Sequence, residues 1–152
     1  MGYEEEIIKY PPNTYAYFAE DDFHFFRKVY TAGIKENAMA VIGHEICQKY
    51  LKHIISRYSV PKNNGQAWEK EDALHSHSLH KLTKFIKRNT KLCLPEETAF
   101  ELCCMDNLYF STRYPGQDSY LASEKDIDNV WAAVQAAREY VMTIHNKKRS
   151  VH

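Results

Sequence analysis

A chain of 152 residues can bury a core as one domain without disulfide or metal staples. Its 20 basic and 20 acidic residues cancel, which excludes a global field drawing the chain to nucleic acid or membrane; any anion site has to be local. Eleven Tyr and seven Phe supply ample core material, and only five Gly and five Pro, placed at segment ends, argue against a turn-rich β-sandwich.

Cys47, Cys93, Cys103 and Cys104 form no Cys-x-x-Cys pair, so neither a zinc knuckle nor a secreted disulfide framework is indicated, and buried, reduced thiols are expected. Met1-Gly2-Tyr3-Glu4-Glu5-Glu6 is acidic where a signal peptide is basic and then apolar, and it lacks the myristoylation pattern. No run reaches the roughly 18 apolar residues of a membrane span. These features predict a cytoplasmic protein.

In chain order, Tyr10-Pro11-Pro12 breaks any preceding structure, and Asn13 or Thr14 caps a first helix running to about Ala32, with Gly33 as its stop. Its apolar positions keep a helical period in which Asp22 is the exception. A second helix is predicted from about Glu36 to Tyr58, with Val41, Ile42, Ile46, Tyr50, Ile54 and Ile55 on the buried face. Pro61 and Lys62-Asn63-Asn64-Gly65-Gln66 read as a loop too short to divide two domains.

A shorter third helix covers Ser78 to Arg88. The fourth starts at Pro95, with Glu96 and Glu97 at its positive dipole end, and runs to about Thr112. It is apolar nearly all round, which places it centrally or at a subunit interface. The fifth starts at Ser123, with Asp126 as a relative of the capping box, and carries the cleanest stripe: Ile127, Val130, Trp131, Val134, Ala137, Val141 and Ile144. Lys147-Lys148-Arg149 reads as a solvated basic tail. The expected fold is all-α: an antiparallel, up-and-down bundle of four long helices plus a short fifth, forming a single domain over residues 1–152 with its core at about 14–145.

One stretch departs from simple packing. Asp106, Tyr109 and Arg113 share a helical face at the end of the fourth helix, just before Tyr114-Pro115-Gly116. An acid, a phenol and a guanidinium there predict a docking point for something polar or anionic, because the Arg fork makes paired hydrogen bonds to phosphate or carboxylate and Tyr can stack on a base. The bland alternative is an internal Arg113–Asp106 pair that fixes the helix end.

The order of motifs resembles the HEPN domains, small helical bundles associated with nucleotide binding. Glu45-Ile46-Cys47-Gln48-Lys49-Tyr50-Leu51-Lys52-His53-Ile54-Ile55 is similar to the family's QAAEKALKALL helix, with Lys49 and Lys52 matching and Glu45 and Gln48 standing where Gln and Glu are common. His77-Ser78-Leu79 with Leu82 resembles the H-x-L-x-x-L entry to the third helix, and Tyr109 with Arg113-Tyr114-Pro115 the Y-x-x-x-R-Y-P ending. The resemblance implies a homodimer and partnership with a minimal nucleotidyltransferase, with a nucleotide or RNA as ligand; other members are ribonucleases, including toxin components of toxin–antitoxin-like systems. The ribonuclease branch uses an Arg followed after four to six residues by His. After Arg113 come Tyr114, Pro115, Gly116, Gln117, Asp118, Ser119 and Tyr120, with no His, so no general acid or base of suitable pKa stands beside it.

The expectation is therefore a non-catalytic nucleotide-binding module whose ligand residues are Arg113, Tyr109, Tyr114, Asp106, Lys49 and Lys52. The alternatives are a metal-independent ribonuclease using Arg138 and His145, which are separated by six residues, and a purely structural dimerisation module. His77 and His80 are the only helical pair among three nearby histidines, so no metal site and no cofactor are expected; His77 is expected to cap or position the third helix.

Overall fold

The computed structural model describes residues 9–150, with side chains through Lys148. The acidic segment Met1–Glu6 lies outside the described residues. Among those described, the chain is all-helical: α1 (Tyr15–Thr31), α2 (Ala38–Tyr58), α3 (Asn64–Leu74), α4 (Leu79–Asn89), α5 (Glu96–Thr112) and α6 (Glu124–Ser150). No described helix is long and apolar enough to cross a membrane.

Local hydrogen bonding fixes the starts of α1, α4 and α6. Thr14 Oγ1 accepts from the Tyr17 amide at 3.3 Å, and Ser78 Oγ accepts from the Lys81 amide at 3.2 Å. Ser123 and Asp126 close a reciprocal box: the Ser123 amide donates to Asp126 Oδ2 at 2.9 Å, and the Asp126 amide donates to Ser123 Oγ at 3.1 Å. Gly33 ends the first helical segment at φ 83°, a conformation that glycine adopts without steric cost.

α3 is the element the sequence pattern conceals. The segment expected as a loop becomes helical from Asn64, because Asn63 Oδ1 accepts from the Gln66 amide at 2.9 Å. Only Ala73 of this helix is buried, so no apolar stripe advertises it. The residues expected as a basic tail are also helical, since α6 continues to Ser150.

α2, and not the all-round apolar α5, is the central helix. It packs against α1, α3, α4, α5 and α6, and Ile46, Cys47, Tyr50, Leu51, Ile54 and Ile55 are fully buried on it. Gly43 permits the close approach of α2 and α6: a Cβ there would stand 2.2 Å from Val130 Cγ1. α5 buries Leu102, Met105, Leu108 and Tyr109 but leaves Phe100 70% and Phe110 58% exposed. Of the four thiols only Cys47 is buried; Cys93 and Cys104 are exposed, which corrects the expectation that all are core residues.

Candidate functional site

Asp106 is not paired with Arg113. It turns inward from α5 and holds the first turn of α4: the Leu79 amide donates to Oδ1 at 2.8 Å, and the His80 amide and Ser78 Oγ donate to Oδ2 at 2.9 Å and 3.1 Å. These amides are the orphan donors of a helix start, so the carboxylate caps α4 from another helix. His44 of α2 completes the set, with Nε2 2.8 Å from Oδ1. Burial pushes Asp106 upward, but the bonds from His44 and the two amides outweigh it and hold the carboxyl below its ordinary range.

The direction of the remaining bonds follows. An ionised Asp106 can only accept, so His44 Nε2 donates and Nδ1 accepts from Gln48 Nε2 at 2.8 Å. Gln48 Oε1 then accepts from His77 Nδ1 at 3.1 Å. Burial lowers the pKa of His44, opposed by Asp106, in the direction that favours the neutral imidazole these bonds require. The chain Asp106–His44–Gln48–His77 thus links α5, α2 and the entry of α4, and it ends at His77 on a cleft. His77 is positioned by Gln48, while the cap itself comes from Ser78 and Asp106.

That cleft, of about 440 Å³, is lined by Asn13, Thr14, Tyr15 and Phe18 from the start of α1, by Glu45, Gln48, Lys49 and Lys52 from α2, and by His77. The two predicted lysines do meet there, but they differ. Lys49 pairs with Asp22, which explains the acidic exception in the α1 pattern. Lys52 is 9% exposed and makes no hydrogen bond or ion pair among the described residues, and burial lowers its pKa. A buried ammonium without a carboxylate is costly, and an anion in the cleft would offset that cost.

Tyr109 links the cleft to the α5 corner. Its ring stacks on His44 with centroids 4.0 Å apart and an interplanar angle of 15°. The Arg113 guanidinium sits 4.5 Å from the centre of the Tyr109 ring and 5.1 Å from that of Tyr114. Burial raises the Tyr109 pKa; Arg113 opposes the rise and Glu45 of the cleft adds to it. Arg113 and Tyr114 are exposed and do not line the cleft itself. Asn37, unremarked in the sequence, clamps this corner: Nδ2 donates to the Thr112 carbonyl at 3.0 Å, and Oδ1 accepts from the Ala122 amide at 2.7 Å.

Arg138 and His145 lie elsewhere. Arg138 forms a two-pronged bridge to Glu20, Nε to Oε1 at 2.8 Å and Nη2 to Oε2 at 3.2 Å, and its guanidinium lies 4.3 Å from the centre of the Phe23 ring. Tyr50 also donates to Glu20 Oε1, at 2.6 Å. His145 packs edge-on against Tyr10, with ring centroids 5.0 Å apart.

The hidden members of the site are His44 and, from the start of α1, Asn13, Thr14, Tyr15 and Phe18. His44 carries no sequence signal beyond its four-residue spacing to Gln48, and its acceptor is 62 positions away. Comparison with protein-family models, with curated proteins and with solved structures finds no match to this chain.

Proposed function

We propose that this chain is a non-catalytic, HEPN-like nucleotide-binding module, an antiparallel bundle that works as a homodimer beside a minimal nucleotidyltransferase. The observation that carries the reading is Lys52, a buried cation with no ion-pair partner among the described residues, facing a cleft that also holds aromatic rings. An anionic group of the ligand supplies the missing charge, and Tyr15 and Phe18 offer ring faces to a base. Arg113, spread over Tyr109 and Tyr114, is a second anion contact at the edge. Asp106 belongs to this reading as a positioning residue, since its donors hold it away from any ligand. The exposed Phe100 and Phe110 on α5 support pairing through that helix.

The ribonuclease reading through Arg138 and His145 draws less support, because the guanidinium fork that would grip a phosphate is already engaged by Glu20. Calorimetric titration of ribonucleoside mono- and triphosphates tests the favoured reading. Wild type is expected to bind, Lys52→Gln to lose at least about tenfold in affinity, and Arg113→Ala, at an exposed contact, to lose about threefold. Absence of binding by wild type, or unchanged binding by Lys52→Gln, would sink it. Cleavage of labelled RNA that disappears in His145→Ala would establish the rival.

A further inference from the structure

At the far end of α2 lies a second concavity, about 530 Å³, between the C-terminal ends of α2, α4 and α6 and the start of α3. Its cations are Lys62, Lys70, Arg88, Lys91 and Lys148, and no carboxylate lines it. The charge balance of the whole chain is zero, so this is a segregation of charge and not a general excess. Asp128, Asp22, Asp72 and Glu20 form their ion pairs elsewhere, with Lys35, Lys49, Lys81 and Arg138.

The ordinary explanation for cations here is that they offset helix dipoles. Three C-terminal ends contribute roughly half a negative charge each, about one and a half charges against five, so the pole stays strongly positive. Lys70 does serve the dipole of α2, donating to the carbonyls of Ser59 at 2.7 Å and Ser56 at 3.3 Å. Lys62, Arg88 and Lys91 have no such engagement among the described residues, and Lys148 reaches only the ring of Tyr58, at 5.6 Å.

Tyr58 and Phe85, both half-buried, put ring surface into the same groove, with Ser59, Gln66, Asn89 and Thr90 as hydrogen-bonding groups. Through Lys91, Leu92 and Lys148 the groove borders a neighbouring cleft of about 840 Å³, which adds Lys147 but also Glu97 and Glu139, so the carboxylate-free stretch ends there. We infer that this basic pole is a binding groove for single-stranded nucleic acid, gripping the backbone phosphates with its cations and offering Tyr58 and Phe85 to the bases. Repeated phosphates match several cations along a continuous groove, and the interleaved rings suit bases better than carboxylate side chains. The groove shares no lining residue with the Lys52 cleft and does not depend on it.

Fluorescence anisotropy with a labelled 12-nucleotide oligouridylate tests the inference. If all five cations engage phosphates, affinity falls about 100-fold between 50 and 200 mM salt. The triple variant Arg88→Gln, Lys91→Gln, Lys148→Gln is expected to lose at least about 30-fold in affinity at low salt and to flatten that dependence to less than about tenfold. The charge-preserving set Arg88→Lys, Lys91→Arg, Lys148→Arg is expected to bind as wild type does, and Tyr58→Leu to lose about fivefold. The triple variant is expected to keep the wild-type affinity for mononucleotides, whose site is the Lys52 cleft, so the two sites fail or succeed separately. No binding by wild type, a triple variant that binds as well as wild type, or equal affinity for poly-glutamate or phosphatidylserine vesicles would overturn it.

Discussion

Arg138 and Lys52 are cations set into the same bundle, and their surroundings treat them in opposite ways. Arg138 finds both oxygens of Glu20, the ring of Phe23 and, through Glu20, the hydroxyl of Tyr50. Lys52 faces a cleft whose one carboxylate, the exposed Glu45, forms no ion pair with it. A buried pair whose hydrogen bonds are complete is a closed structural unit, whereas a buried charge left alone keeps an unmet electrostatic demand. The difference separates a brace from a binding site more sharply than exposure does, since both side chains are largely buried.

The largest expected effect breaks the closed unit. Glu20→Ala removes the two-pronged acceptor of Arg138 and the acceptor of Tyr50, and urea denaturation is expected to show a loss of about 3–5 kcal/mol. A loss below about 1 kcal/mol would mean that the bridge is not the brace described here.

Acid probes the same region through His53, which packs edge-on against Tyr10 and which burial, with Arg57 and His145, holds down to a pKa of about 4 from 6.5. Between those values the unfolded chain binds the extra proton, so stability falls as pH drops. The contribution is intact above about pH 6.5 and lost near pH 4, on the order of 3 kcal/mol. His44 is shifted in the same direction, so the readout is the difference between wild type and His53→Leu, whose stability should decline less across that window.

Asp106→Asn retains the shape of the α4 cap but removes its charge. It is expected to cost about 2 kcal/mol, and hydrogen exchange should quicken first at the amides of Leu79 and His80. Uniform protection there would count against capping from α5.

Lys52→Met carries the opposite sign, and that makes it the most diagnostic. Removing an uncompensated charge is expected to raise the stability of the free protein by up to about 1 kcal/mol while weakening nucleotide binding. A variant that is both less stable and unimpaired in binding would erase the contrast with Arg138. Arg113→Ala is the smallest: an exposed guanidinium on two rings should change stability by no more than about 1 kcal/mol in a thermal melt.

Much of the helical layout was legible because its causes are local. Thr14, Ser78 and the Ser123–Asp126 box each act across three residues, and the stripe from Ile127 to Ile144 repeats with the helix itself. α3 escaped for the complementary reason: it is held by a cap and a single buried alanine, and periodicity cannot report a helix with almost no buried face. In the candidate site the lysines and Tyr109 were visible from the resemblance of motifs. The partner of Asp106 was not, because a helical wheel places Asp106 beside Arg113 but cannot say that α4 begins within reach of the carboxylate.

By itself the sequence determined five of the six described helices, where most of them start and stop, and which of their faces must be dry, since those follow from contacts within one or two turns. Only the tertiary structure decided which charges are satisfied. Glu20 meets Arg138 across 118 positions and His44 meets Asp106 across 62, while no described carboxylate pairs with Lys52. Charge pairing in a bundle depends on which helix faces come together, and that information is set by the packing of the whole core.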